Sequence, residues 1–289
     1  MRVLIIGGSG FLGIHLAEEL AKKGYKINIL DIKKPNNLNK SVKFFYGDMT
    51  KSKSVIKAIK NCKIVFHMGG ISDIKYSINN PYKTIKINFM GTMNILDICI
   101  KKKIKKLIFA STIYVKSTQG GFYKVSKQCC ESIIKEYSKR FGLNYCIIRY
   151  GSVYGIGSSV NNGITKILNN FIKKKKFHYD GTVKAKRRFI FVKDAVNTTI
   201  KTIDKKFNNK SVLITGSKLM NIKNVMKMIS EILKTNLKPS YKNKQELGHY
   251  NINPYSLKKE KIENLYIENK KNFRVNIQNL YEHLLKNKK

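Results

Sequence analysis

The stretch that decides the fold is residues 1–13, MRVLIIGGSGFLG, in which an apolar run leads directly into a glycine-rich loop. The apolar run predicts a buried strand, and the apolar spacing after the loop predicts a helix over 11–23. Glycines at this spacing permit a tight turn, close approach of backbone to a pyrophosphate, and close packing of helix on strand. Because N–H groups at a helix start bind phosphates, the sequence predicts a dinucleotide site here.

The second apolar run predicts a strand over 26–30, and Asp31 stands at its end. A carboxylate in this place accepts hydrogen bonds from the diol of an adenosine ribose and repels a 2′-phosphate. We therefore predict NAD rather than NADP, although Lys33 and Lys34 leave the alternative open, since nearby lysines could accommodate a phosphate. The residues of this segment expected at the cofactor are Gly7, Gly10, Phe11, Leu12, Gly13 and Asp31.

Short apolar runs alternate with amphipathic stretches along the first two-thirds of the chain, which predicts an α/β fold with a doubly wound parallel sheet. The predicted strands are 3–6, 26–30, 42–46, 64–67, 107–110, 145–149 and 212–215, and the predicted helices are 11–23, 52–60, 82–100, 123–141, 164–174, 221–233 and 275–285. The alternation loosens after Arg149. We predict a NAD-binding domain over 1–153 that also receives about 189–216, and a smaller C-terminal substrate lobe made of 154–188 and 217–289.

The chain carries 58 Lys and Arg against 17 Asp and Glu, a formal net charge of +41 at pH 7. Such an excess points ordinarily to nucleic acid or an anionic membrane as a partner. Nucleic-acid binding relies on arginine, whose planar fork matches phosphates and guanine edges, whereas lysine supplies nearly all of this charge. We interpret lysine runs such as 101–103 and 173–176 as solvated surface, with a functional polyanion surface as the alternative.

The five cysteines include no CxxC pair, and each falls within or beside an apolar helix or strand pattern. We expect reduced, mostly buried thiols rather than disulfides. The five histidines show no ligand spacing either, so we predict no metal. No apolar run reaches the roughly 18 residues of a membrane-spanning helix, and the N-terminus starts with a strand pattern rather than a signal peptide. We therefore expect a cytoplasmic protein with no membrane partner.

The segment YKVSK begins the predicted helix 123–141, which puts Tyr123 and Lys127 one turn apart on the same face. An ammonium group beside a phenol favours the phenolate, so we expect Lys127 to lower the pKa of Tyr123 toward neutrality. Such a tyrosine exchanges a proton with a hydroxyl while hydride moves to or from a nicotinamide. We therefore predict Tyr123 and Lys127 as a catalytic pair.

Ser111 and Thr112 follow the strand predicted over 107–110, at the end where ligands meet an open parallel sheet. A hydroxyl there can bind the reacting oxygen. His67 also ends a predicted strand, and we interpret it as a structural histidine rather than a catalyst. Two neighbouring thiols lie one turn past Lys127 and are interpreted as packing residues, namely Cys129 and Cys130.

Together these motifs resemble the extended short-chain dehydrogenases/reductases of the NAD-dependent epimerase/dehydratase family. They follow the family's order along nearly the whole chain: GGSGFLG (7–13), GDM (47–49), HMGG (67–70), NFMGTMNIL (88–96), FAST (109–112), YKVSK (123–127), RYGSVYG (149–155) and RRFIFVKDA (187–195). The resemblance implies a Rossmann fold and an enzyme whose catalytic set is Tyr123, Lys127 and Thr112, with Tyr123 and Lys127 also at the cofactor.

The resemblance implies further contacts with cofactor and substrate. Implied cofactor contacts are Asp48 and Met49 at the adenine, Met68, Gly69 and Gly70 at the ribose, and also Asn88 and Ser111. Those implied near the nicotinamide are Tyr150, Gly151, Ser152 and Val153. Arg187 falls where the family holds a phosphate of the substrate nucleotide, which suits the guanidinium fork. Implied substrate contacts are therefore Thr112, Ser152 and Arg187.

Three departures from the family pattern bear on the reaction. Family members that dehydrate sugars usually carry an Asp-Glu pair after the strand-end Ser/Thr, and decarboxylase-like members carry a glutamate; this chain has Ile113-Tyr114. Neither side chain supplies those proton transfers, so 4,6-dehydration is not expected. The segment 113–122 before Tyr123 is shorter than the family's active-site loop, and Ser152 stands where the family commonly has asparagine.

The leading hypothesis is a nucleotide-sugar epimerase that acts on a UDP-sugar at C4. Tyr123 would deprotonate a hydroxyl while NAD takes the hydride, and the resulting ketone would be reduced on its other face. One alternative is a nucleotide-sugar reductase or dehydrogenase that releases its nicotinamide at each turnover. An alternative from a different class is an RNA-binding protein on the same fold, although such a protein needs neither Tyr123 nor Lys127.

The helices predicted over 82–100 and 123–141 carry more apolar residues than one sheet can cover. In the first, apolar residues at helical spacing are joined by others on adjoining faces; the spaced set is Ile85, Phe89, Met93 and Leu96. A helix that is apolar over so much of its circumference needs a second partner. Because the family pairs these helices across a two-fold axis, we expect a homodimer, with cover by the smaller lobe as the alternative.

Overall fold

The structure, a computed structural model, describes residues 1–35, 38–242, 248–251, 254, 263–267 and 273–287. Its strands are β1 (Arg2–Ile6), β2 (Lys26–Asp31), β3 (Val42–Tyr46), β4 (Ile64–His67), β5 (Lys106–Thr112), β6 (Asn144–Tyr150), β7 (Ser152–Tyr154), β8 (His178–Tyr179), β9 (Lys186–Phe191), β10 (Lys210–Gly216), β11 (Leu219–Asn221), β12 (Ser240–Tyr241) and β13 (Glu263–Ile267). Its helices are α1 (Phe11–Lys22), α2 (Ser52–Ala58), α3 (Ile74–Asn79), α4 (Pro81–Ile85), α5 (Gly91–Lys101), α6 (Gly121–Phe141), α7 (Gly163–Lys174), α8 (Val192–Lys201), α9 (Ile222–Ile232) and α10 (Phe273–Lys286).

The central sheet has eight strands in the order β13-β10-β6-β5-β4-β1-β2-β3. Every pair of neighbours is parallel. The chain leaves β1 toward β2 and β3 on one side, then returns to β4 on the other side. The order therefore reverses at β1, and the loops that follow β1 and β4 meet at the carboxyl end of the sheet. Ligands of doubly wound folds bind at such a switch point.

Both faces of the sheet are apolar, as expected for parallel strands covered by helices. One face packs with α1 and α8 around residues such as Leu16 and Val196. The opposite face packs with α2, α5 and α6 around residues such as Val55, Leu96 and Ile134. A separate apolar core lies between α7, α9 and α10, with the fully buried Tyr154 at its centre. This layered arrangement confirms the predicted doubly wound fold.

The predicted strands of the first two-thirds are all present, whereas other features differ from the sequence prediction. Several elements were not predicted, namely α3, α8, β7, β8, β11 and β12. The helix expected over 82–100 consists of α4 and α5 joined by a π-helical turn, Lys86–Met90. The strand β9 was not predicted, and it pairs with β7 and β11 in a small second sheet. The strand β13 returns to the edge of the main sheet beside β10, although its residues were assigned to the lobe.

The glycine turn after β1 provides a direct test of the close approach of the two loops. Gly7 and Gly24 both have φ of +76°, but a Cβ at Gly7 would stand 2.4 Å from the Gly69 Cα, while a Cβ at Gly24 meets nothing within 4 Å. Gly24→Ala should cost only the strain of the left-handed conformation, about 1–2 kcal/mol. Gly7→Ala adds a clash with backbone, so we expect a total loss of about 3 kcal/mol or more. Urea denaturation of both variants measures the difference, and equal losses would contradict it.

Candidate active site

The N-terminus of α1 is open toward the carboxyl end of the sheet. Its N-cap is Gly10, and no side chain caps the first turn. The Ser9 Oγ is buried without a hydrogen-bond partner in the described part of the chain. A Cβ at Gly13 would stand 2.3 Å from the Gly7 carbonyl oxygen, so only glycine lets the loop fold this tightly. Uncapped N–H groups and an unsatisfied hydroxyl on a glycine turn fit the pyrophosphate of a dinucleotide.

Asp31 ends β2 beside this turn and accepts two backbone hydrogen bonds. Its Oδ2 accepts from Ser9 N at 3.0 Å, and its Oδ1 accepts from Lys33 N at 3.1 Å. Each carboxylate oxygen keeps a further lone pair, since an ionised carboxylate offers about four acceptor positions. Asp31 therefore holds the glycine loop in place and can still accept hydrogen bonds from a ribose diol.

The residues expected along the adenosine half of the cofactor lie around this loop. Asp48 Oδ1 accepts from Thr50 N and Oγ1 at 2.8 and 2.9 Å, which fixes the turn that carries the buried Met49. Met68, Gly69 and Gly70 follow β4 directly, and the Met49 Sδ lies 3.1 Å from the position of a Gly69 Cβ. The structure thus brings these two segments together at the switch point.

Asn88 lies in the π-helical turn and is almost completely buried. Its amide exchanges two hydrogen bonds with the backbone of Ile71, through Oδ1 at 2.7 Å and Nδ2 at 2.9 Å. The Nδ2 also donates to the Ser126 hydroxyl at 2.9 Å. Asn88 therefore ties the loop after β4 to α6, and its side chain is engaged by protein groups.

Tyr123, Lys127 and Thr112 converge where β5 ends against α6. The Thr112 side chain lies beside the Tyr123 hydroxyl, close enough to affect the pKa of Tyr123. Lys127 Nζ donates to the Ala110 carbonyl at 2.8 Å and lies 4.5 Å from the centroid of the Phe109 ring. All three predicted catalytic side chains are buried. The arrangement holds a phenol, a hydroxyl and an ammonium group together at the carboxyl edge of the sheet.

The expected lowering of the Tyr123 pKa by Lys127 is wrong for this structure. Burial raises the pKa of Tyr123 to about 12, and the hydrogen bond from Thr112 offsets only part of that rise. Burial also lowers the pKa of Lys127, and nearby Cys130 and Glu131 oppose that change. Desolvation disfavours the charged form of each group. Spacing along the helix gave the pair correctly, but it did not reveal how deeply the pair is buried.

Ser111 was expected at the cofactor, and the structure places its hydroxyl elsewhere. Its Oγ donates to Glu131 Oε1 at 2.5 Å. The same carboxylate accepts two hydrogen bonds from Arg149, through Nε at 3.0 Å and Nη2 at 2.6 Å. All three side chains are buried between the sheet and α6. Neither Glu131 nor Arg149 was singled out from the sequence as a site residue.

The residues expected at the nicotinamide follow β6. Tyr150 is buried, and its hydroxyl is hydrogen-bonded to Thr199 Oγ1 at 2.5 Å. A Cβ at Gly151 would stand 2.3 Å from Thr215 Oγ1, so glycine is needed where the chain passes β10. Ser152 and Val153 belong to β7, which pairs in parallel with β9. These residues lie between the main sheet and the small sheet.

Arg187 lies on β9 and packs against residues 250–251, a contact that the sequence did not predict. Its guanidinium carbon lies 4.3 Å from the centroid of the Tyr250 ring, and its Nη1 donates to the Asn251 carbonyl at 3.1 Å. Tyr250 also lies beside the side chain of Ser152. The two expected substrate contacts Arg187 and Ser152 are thus joined through Tyr250, which stands in a short segment without periodicity.

Tyr114 lies between Tyr250 and Tyr123. Its ring lies 4.9 Å from the Tyr250 ring and 6.4 Å from the Tyr123 ring, measured between centroids. Its hydroxyl is hydrogen-bonded to His249 Nδ1 at 2.8 Å. Tyr114 was considered only for the carboxylate that it replaces. The Tyr-Lys motif, the strand-end threonine and the lobe therefore form one continuous surface.

His67 lies in the core, as interpreted from its place at the end of β4. Its Nε2 is hydrogen-bonded to Thr92 Oγ1 at 2.9 Å, and burial lowers its pKa to about 3 with help from the charge of Lys127. The thiols differ from expectation in one case. Cys130 is buried against the Asn88 carbonyl, whereas Cys129 is exposed and packs against no core.

Among the described residues, no group of His, Cys, Asp or Glu is placed to hold a metal ion. Within the same residues, no helix is long and apolar enough to cross a membrane.

We expect His67 to make stability depend on pH. Its pKa is about 3 when folded and about 6.5 when unfolded, so the unfolded chain binds the extra proton. The stability contributed by neutral His67 is therefore complete above pH 6.5 and is lost as pH falls below it. From pH 7 to pH 5.5 the wild type should lose about 1 kcal/mol more than His67→Gln. Urea denaturation at both pH values checks this; parallel losses would show that His67 is not buried uncharged.

Comparison with known proteins assigns this site to a family. The model of the NAD dependent epimerase/dehydratase family matches residues 3–215. A UDP-N-acetyl-alpha-D-glucosaminuronate decarboxylase of Bacillus cytotoxicus is 30% identical over 264 residues, 80% of each chain. A putative UDP-glucose 4-epimerase of Methanocaldococcus jannaschii is 27% identical over 224 residues, 70% of this chain and 73% of its own. The UDP-glucose 4-epimerase structure of Thermotoga maritima superposes with a TM-score of 0.87 at 21% identity, over 100% of both chains.

Proposed function

Since this chain belongs to the NAD dependent epimerase/dehydratase family, we propose that it is a NAD-dependent nucleotide-sugar epimerase that acts on a UDP-sugar at C4. The single observation that carries the proposal is the convergence of the buried side chains of Tyr123, Thr112 and Lys127 where β5 ends against α6. The residues that follow Thr112 are Ile113 and Tyr114, which supply no carboxylate for elimination. Oxidation and reduction at one carbon remain as the chemistry of this site.

The catalytic side chains have separate roles in that chemistry. Thr112 holds the sugar oxygen that reacts, since its side chain lies beside the Tyr123 hydroxyl. Tyr123 exchanges a proton with that oxygen as general base and then as general acid. Lys127 stabilises the phenolate of Tyr123 during the exchange. NAD, held by the start of α1 and by Asp31, would supply the hydride acceptor and donor for this oxidation and reduction.

The cofactor would lie across the switch point of the sheet. The uncapped start of α1 receives the pyrophosphate, and Asp31 receives the adenosine ribose. Met68, Gly69 and Gly70 line the path between the loops after β1 and β4. The nicotinamide end falls beside Tyr150 and Val153, next to the catalytic pair. The sugar nucleotide would reach the same pair from the side of Arg187 and Ser152.

A panel of UDP-, dTDP-, GDP- and CDP-sugars, incubated without added cofactor, tests the function. An epimerase purifies with NAD bound and interconverts two sugars, whereas a reductase or dehydrogenase needs nicotinamide in equal amount to product. A decarboxylase would release carbon dioxide from a uronic acid. Because the relative from Bacillus cytotoxicus is a decarboxylase, carbon dioxide release is also measured. If the enzyme forms a product but does not interconvert two epimeric sugars, the epimerase proposal is wrong.

Tyr123→Phe removes the acid–base hydroxyl and keeps the ring. We expect turnover to fall at least about 100-fold with NAD affinity nearly unchanged. Tyr137→Phe is the matched control, because Tyr137 lies on the same helix and is hydrogen-bonded to Asp97. Steady-state kinetics and NAD titration of both variants measure this. Near-normal turnover of Tyr123→Phe would exclude the tyrosine from the mechanism.

We also propose that the enzyme is a homodimer joined through α4, α5 and α6. The described surface of these helices and of the π-helical turn between α4 and α5 carries exposed apolar side chains, with Tyr82 at 77%, Met90 at 51% and Phe122 at 42% exposure. Burial of a few such side chains contributes several kcal/mol, while repulsion between lysines is screened beyond roughly 8 Å at physiological salt. The five free thiols fit a cytoplasmic location for this assembly.

Sedimentation equilibrium at physiological and low ionic strength should show a dimer at micromolar concentration. Met90→Lys places a charge in the proposed interface and should shift the protein toward monomer. Val275→Lys is the control, because Val275 is similarly exposed at 47% but lies on α10. A monomeric wild type in both buffers would rule out the dimer.

A further inference from the structure

We propose that Ser111, Glu131 and Arg149 form a positioning triad that sets the place of Tyr123 and Lys127 against the end of β5. The inference rests on the proposed function for the reaction that Tyr123 performs. Glu131 is 5% exposed, and its carboxylate receives one hydrogen bond from Ser111 and two from Arg149. A carboxylate with three protein donors in the interior has a single well-defined position.

The sheet presents the two donors as a pair. Ser111 of β5 and Arg149 of β6 are register partners, so their side chains leave the same face of the sheet side by side. Glu131 descends from α6 between them. The charged contact therefore ties the helix to two neighbouring strands at once, and it resists both sliding and rotation of the helix.

Three consecutive residues of β5 each meet a different residue of α6. The Ala110 carbonyl accepts from Lys127 Nζ at 2.8 Å, the Ser111 hydroxyl donates to Glu131 at 2.5 Å, and the Thr112 side chain lies beside Tyr123. On α6 the three partners are spaced four residues apart on one face, about 6 Å per step along the helix. Glu131 is the partner with the most hydrogen bonds, and so fixes the other two.

Stability alone gives little reason for this arrangement. A buried ion pair returns little net stability, because desolvation of both charges offsets their attraction, and apolar residues of similar volume often serve as well. Apolar packing, however, fixes the position of a helix less narrowly than directional hydrogen bonds do. A displacement of about 1 Å at reacting groups can cost about 100-fold in rate. We therefore infer that the triad fixes the positions of Tyr123 and Lys127.

The test compares a double variant, Glu131→Leu with Arg149→Met, against the same exchange at the exposed pair Glu231 and Arg274, which joins α9 to α10 through a contact of 2.7 Å. We expect the urea midpoint of the triad variant to stay at the wild-type value or above. Its kcat should fall about 100-fold, with KM for the sugar nucleotide changed less than about threefold. The control should keep wild-type kcat and KM.

A second readout is independent of turnover. In protein labelled with ¹³C-tyrosine, the Tyr123 resonance is assigned with Tyr123→Phe and titrated with pH. We expect its chemical shift and apparent pKa to change in the triad variant and to stay constant in the control. This measurement holds even where no sugar of the panel is turned over, so failure of the proposed function and failure of the triad are distinguishable.

Ser111→Ala removes one hydroxyl and leaves the ion pair, so it carries the test if the double variant does not fold. We expect kcat to fall about tenfold with the NAD dissociation constant unchanged, since the hydroxyl faces Glu131 and not the cofactor. A tenfold weaker NAD affinity would overturn the proposal. So would a triad variant that keeps wild-type kcat and the Tyr123 resonance, or one that loses activity only in proportion to stability.

Discussion

The parallel direction of all eight strands is the constraint on which the site depends. Because the strands run the same way, their carboxyl ends share one edge, and residues distant in sequence meet there without any long loop. The reversal of strand order at β1 opens the crevice, and the contact between Gly7 and Gly69 sets its width. Any side chain larger than hydrogen at Gly7 would push the two loops apart.

Burial then decides how the polar groups of the site behave. Asn88, Lys127 and Glu131 are almost fully buried, and each is held by protein hydrogen bonds, as interior polar groups must be. The same burial raises the pKa of Tyr123 instead of lowering it. Tyr123 is therefore a protonated, buried phenol at neutral pH, and its loss of a proton depends on the charges placed around it.

Local patterns in the sequence were sufficient for seven of the eight strands of the central sheet, the glycine turn and the Tyr-Lys pair. Each of these depends on residues within a few positions of one another, such as Gly7 to Gly13 or Tyr123 to Lys127. The partner of Ser111 could not be predicted in this way, because Glu131 lies 20 residues away on another element. The prediction of the Tyr123 pKa was wrong for a related reason, since desolvation depends on the whole fold and not on helix spacing.

The contacts of residues 248–251 could least be predicted from the sequence pattern. Residues 248–251 have no periodicity, yet they place His249 against Tyr114 and Tyr250 against Arg187. Tyr114, in the short segment before Tyr123, packs against Tyr250, and its hydroxyl is hydrogen-bonded to His249. Tyr114 and His249 are 135 residues apart in the sequence, so no local pattern predicts this contact. It forms only when the two parts of the chain come together in the fold.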